Sequence, residues 1–107
     1  MVIDGVSQST GIERLVEVSA SEGGLRVLIR DRKLGTELGH VIVPAEQLMN
    51  VLTEQPKGAQ TIPTGSIGTT LGVEVRRNEV WLMIGGPDAA VGLDDLMDAV
   101  ASALPSA

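Results

Sequence analysis

Apolar and polar residues alternate along short stretches of this chain, and the pattern twice switches to a helical spacing. Ala45, Leu48, Met49 and Leu52 recur at i, i+3, i+4 and i+7, and so do Leu93, Leu96, Met97 and Val100. That spacing places each set on one face of a predicted helix. Glu46, Gln47, Asn50 and Thr53, or Asp94, Asp95, Asp98 and Ser102, then fall on the solvent side. Upstream of each helix, alternating and β-branched runs predict strands at 16–18 and 25–29 and again at 73–75 and 80–84. Residues 20–24 and 77–79 are rich in types that accept turn geometry and join these strands into hairpins. A third strand, at 40–43 and at 89–91, feeds each helix.

This order predicts an α+β fold: an antiparallel sheet with two helices on one face, built from two pseudo-repeated βββα units. A plainer explanation of the likeness stays open, since any two hairpin-to-helix segments look alike when apolar residues are abundant. The chain fits a single domain, 1–107. Residues 1–10 read as a flexible arm, in which Val2, Ile3 and Val6 could add an edge strand. Residues 11–54 form the first unit, 55–70 a linker, and 71–107 the second unit. Within the linker, prolines and glycines break both periodicities, while Ile62 and Ile67 are expected to pack on the body. Residues 33–39 form a second long loop.

Composition narrows the chemistry. Hydrophobic residues make up 43% of the 107, but Phe and Tyr are absent and Trp81 is the only aromatic, so the core must be aliphatic. With no cysteine there is no disulfide, thiolate metal site or cysteine nucleophile, which suits a reducing cytoplasm. No apolar run approaches the roughly 20 residues that span a bilayer. The N-terminal residues also lack a basic stretch leading into an apolar one. The expectation is a cytoplasmic protein with no membrane partner.

Candidate catalytic groups are sparse. His40 is the only histidine, and one histidine cannot build a multi-histidine metal site. Asp94, Asp95 and Asp98 resemble a carboxylate cluster, but acids in the first turn of a helix are favoured by its dipole without further role. Glycines 65, 68 and 72 and the run Gly85-Gly86-Pro87-Asp88 lack phosphate-loop spacing and read as turns. The expectation is no enzymatic activity, no cofactor and no metal.

The sheet's outer face offers more. If Leu25, Val27, Ile29, Val80, Leu82 and Ile84 face the helices, alternation turns Arg26, Leu28, Arg30, Arg32, Trp81 and Met83 outward. Trp, Met and Arg are enriched at the centres of protein interfaces. This face therefore predicts a protein-binding module, an adaptor or regulator that self-associates as a homodimer or docks on another protein. A competing reading leaves Trp81 and Met83 buried under the linker or the arm.

Two nucleic-acid readings stand beside it. A pair of sheet-plus-helix units is similar in element order to the Whirly proteins and related single-stranded-DNA-binding coactivators. That resemblance implies a single-stranded nucleic-acid ligand, gripped here by Arg26, Arg30, Arg32, Lys33, Arg76 and Arg77. Net charge of −6 and a single aromatic oppose it. The acidic helices could instead mimic nucleic acid and occupy a DNA-binding partner, with salt-sensitive affinity.

Overall fold

The computed structural model describes residues 1–65 and 69–104. Four strands and a helix, β1 (Val2–Val6), β2 (Glu13–Ser21), β3 (Gly24–Asp31), β4 (Glu37–Val43) and α1 (Ala45–Glu54), are followed by four more strands and a second helix. These are β5 (Gln60–Pro63), β6 (Thr70–Arg76), β7 (Glu79–Met83), β8 (Asp88–Gly92) and α2 (Leu93–Ala103). All eight strands form one antiparallel sheet in the order β4-β3-β2-β1-β8-β7-β6-β5, so two meanders meet where β1 lies beside β8. The fold is α+β. Each half carries four strands rather than the three expected.

The additional strands come from residues 1–10 and from the 55–70 segment, expected as an arm and a linker. Residues 2–6 are neither a loose arm nor an edge, because β1 pairs with β2 on one side and β8 on the other. Gly5 permits this placement: a Cβ there would sit 2.8 Å from the Ala90 carbonyl oxygen and 3.0 Å from Val91 Cγ1. The 55–70 segment holds β5, whose Ile62 is buried as expected. Ile67 lies outside the described residues.

Alternate residues of the strands, among them Val16, Val18, Val27, Ile29, Val73 and Leu82, are buried in one aliphatic cluster with Leu48, Leu52, Leu96 and Val100 of the helices. A two-residue period on the strands and a 3.6-residue period on the helices thus converge on the same core. Pro44 leads into α1, fixing the backbone before the first turn, and Gln55 ends it in the left-handed conformation with φ 50°. Each helix reaches beyond its own half. The first rests on α2, β5 and β6, whereas α2 lies against β1 and β2 as well as β7 and β8.

The sheet curls until its two ends approach one another. Gly39 of β4 lies against Ile84, just beyond β7, and a Cβ on Gly39 would be 3.2 Å from Ile84 Cγ2. β4 and β5, the two ends of the sheet, do not pair with one another, leaving the sheet nearly closed.

Candidate functional site

The six residues expected to share an outer face are not brought together. Arg26, Leu28 and Arg30 lie on β3 and Trp81 and Met83 on β7, with β2, β1 and β8 intervening. Arg32 follows β3 in the loop toward β4.

On the first half the outer face is sealed by its own charges. Arg30 meets Glu17 at 2.7 Å and donates to the Gly35 carbonyl at 2.9 Å, Arg26 meets Glu37 at 3.5 Å, and Arg32 meets Asp4 at 3.2 Å. Leu28 stands in register between Glu17 and His40, flanked by these pairs, and is only 3% exposed. Its expected exposure is thus corrected: the long arginine stems provide cover while their heads stay wet. Arg14, on the opposite parity of β2, is also buried and paired with Asp31 at 3.3 Å.

A bulge creates the His40 environment. The register between β3 and β4 shifts at Ile29/Arg30, so that Gly39 faces Ile29 but Glu37 faces Arg30, with Leu38 as the extra residue. In a regular strand residues 37 and 40 point to opposite faces. Here the bulge restores them to one side, and His40 Nδ1 lies 3.0 Å from Glu37. That hydrogen bond, with the nearby arginines, holds the Glu37 carboxyl below its ordinary value against the opposing effect of desolvation. His40 therefore has a carboxylate partner that spacing alone concealed.

The second half presents different chemistry. Trp81 is half-buried, its indole Nε1 donating to Asp88 Oδ2 at 2.8 Å and its ring lying 4.9 Å from the Arg76 guanidinium carbon. Asp88, read from sequence as part of a turn, is 4% exposed and is the centre of a polar hub. Ser7 and Ser9 hydroxyls donate to its Oδ1 at 2.6 and 2.8 Å, and the backbone N–H groups of Gln8 and Ser9 donate to Oδ2 at 2.9 and 3.2 Å. Burial pushes this carboxyl up, but the hydrogen bonds from Ser7, Ser9 and Trp81 outweigh it and hold the group at about 2. The hub ties the turn after β1 to β8 and to the tryptophan.

Register supplies Trp81 with neighbours other than the arginines. Trp81 faces Ala90, and Ala90 faces Val6, so one apolar row crosses β7, β8 and β1 on the outer face. Val6 is 42% exposed and Val2, on the same side of β1, 54%. Met83 continues the face along β7, Leu15 lies on β2 opposite Asp4, and Glu13 and Glu74 close the two ends of the row. Strand-by-strand alternation could have marked these valines as outward, but their neighbours depended on the order of strands in the sheet.

Among the described residues, no group of three or more His, Asp or Glu side chains is placed to hold a metal ion, and no helix is long and apolar enough to cross a membrane. No protein-family model matches the chain, and no curated protein or solved structure is significantly similar to it.

Proposed function

We propose that this chain is a non-catalytic binding module that works through protein–protein contact and self-associates through the outer face centred on Trp81. The observation that carries the reading is the cross-strand row Val6, Ala90 and Trp81, in which exposed Val6, with Val2 beside it on β1, adjoins the half-buried tryptophan, whereas the outer face of β3 is ion-paired. Trp81 is a suitable anchor because its bond to Asp88 and its stacking with Arg76 fix its orientation before any partner arrives. A two-fold axis running along β8 between two facing sheets would set Val6 of one copy against Trp81 of the other, a self-complementary arrangement. The test is the solution mass by light scattering on a sizing column. A dimer that becomes monomeric on Val6→Glu or Trp81→Ala supports the reading, and a monomer at micromolar concentration overturns it.

Nucleic acid is the less favoured ligand. Arg26, Arg30, Arg32 and Arg76 already face Glu37, Glu17, Asp4 and Glu74, so phosphate would have to compete with tethered carboxylates. Retention of the protein on single-stranded DNA at low salt, lost on Arg30→Glu with Arg32→Glu, would reverse this order.

The two ββββα halves are further inferred to be related units whose helices share the inner face. Their identical element order supports this, as do the matching stripes of α1 and α2 and the contact of each helix with strands of the opposite half.

A further inference from the structure

We propose a second binding site at the open seam of the sheet, where an extended peptide from a partner adds to the free edge of β4. This goes beyond the outer-face contact and does not depend on it. As the two ends of the sheet, β4 and β5 each leave one row of backbone groups without a ladder partner. Curling brings these ends to opposite sides of a cleft of about 590 Å³, a size typical of ligand sites. It is lined by His40, Val41 and Ile42 from β4, by Pro63, Thr64 and Thr69 from the end of β5 and the segment before β6, and by Gly23 of the β2–β3 turn. A smaller hollow of about 220 Å³ continues it past His40 and Val41 toward Ile84, where the seam closes.

The backbone edge specifies the occupant. Unpaired N–H and C=O groups in a row are satisfied by another extended chain, the strand-addition mode of peptide recognition. The bulge at Leu38 and Pro44 interrupt β4 at its two ends, but between them the stretch Gly39-His40-Val41-Ile42-Val43 carries no lysine, proline or bulge that would protect the edge. The apolar lining of Val41, Ile42, Pro44 and Pro63 suits β-branched or small side chains, and Glu22, the one carboxylate among the described residues of the lining, suits a basic residue. From His40 to Pro44 the edge spans about 13 Å at the usual rise of a strand.

The test is selection of a random peptide library displayed on phage against the full chain, followed by synthesis of the enriched peptides. Bound peptide is expected to slow amide exchange along β4. N-methylation of alternate peptide amides is expected to weaken binding by about tenfold or more, as loss of one or two backbone bonds requires. Ile42→Lys, which sets a charge on the edge, should abolish binding, whereas Trp81→Ala should leave it unchanged. Failure to enrich any peptide overturns the proposal, as does an enriched peptide that protects other strands or tolerates N-methylation in every register. The methylated peptides carry the test even if Ile42→Lys does not fold. A parent protein that is monomeric at micromolar concentration yet binds the peptide would sink the outer-face reading alone.

Discussion

The two halves of the sheet are laid down by the same alternation, yet their outer faces differ. On β2, β3 and β4 the outward positions are filled by Glu17, Arg26, Arg30, Glu37 and His40, which pair with one another and bury Leu28 beneath them. Across β1, β8 and β7 the outward positions include Val2, Val6, Ala90, Trp81 and Met83, and the main polar group, Asp88, is turned into a hub. The first face satisfies itself, while the second keeps apolar area in contact with water. Interface potential therefore depends on how outward side chains pair across strands, as well as on which residues point outward.

Breaking the hub should have the largest effect. Asp88→Ala strands the Ser7 and Trp81 donors and the Gln8 and Ser9 amides, and it should destabilise the fold by about 3 kcal/mol. Denaturant unfolding measures this, and a change below about 0.5 kcal/mol would refute the hub's structural role.

Next, Trp81→Ala should weaken self-association by about 2 kcal/mol, the scale of an interface hot spot, with little loss of fold stability beyond its own packing. Leu28→Ala is the counterpart on the sealed face. It should destabilise the monomer by about 2 kcal/mol and leave the dimerisation constant alone. Equal effects of both substitutions on association, measured by sedimentation, would erase the distinction between the faces.

Acid provides a third comparison. Asp88 titrates at about 2 in the fold against an ordinary 3.8, so the native state binds its proton less readily than the unfolded chain. Its stabilising contribution, about 2 kcal/mol, is complete above 3.8 and is lost as pH falls through about 2. Unfolding free energies measured from pH 5 downward should lose this component in Asp88→Asn. An unchanged acid limb in that variant would assign the acid sensitivity elsewhere.

The smallest effect belongs to a single ion pair of the sealed face. Glu17→Gln should cost less than about 1 kcal/mol, because both partners remain partly in water. Its more informative readout is Leu28: if the pair is part of the cover, amide exchange at Leu28 should accelerate while β8 is unaffected.

Much of the secondary structure was legible because it depends on local periodicity. Both helices begin and end close to their apolar stripes, and the hairpin turns at Gly23 and at Arg77-Asn78 fall within the segments read as turns. The candidate site was legible only in fragments. Alternation marks Trp81 and Met83 as outward, but nothing in the sequence says that three strands separate them from the β3 arginines. In the sequence Asp88 looks like a turn residue, because its donors, Ser7 and Ser9, lie about eighty positions away in the chain. The Glu37–His40 pair was invisible because a strand of regular period would have split it, and the bulge at Leu38 arises from pairing with β3.

The sequence by itself determined the local grammar: where periods of two and of 3.6 residues run, where turns interrupt them, and that the core is aliphatic. Those features follow from interactions among near neighbours and from composition. Tertiary structure decided the rest, placing β1 beside β8, assembling the Val6, Ala90 and Trp81 row, burying Asp88 and opening the seam between β4 and β5. Each of these depends on contacts between segments far apart in the chain, set by which strands lie side by side, and periodicity along one strand does not encode the identity of its neighbour.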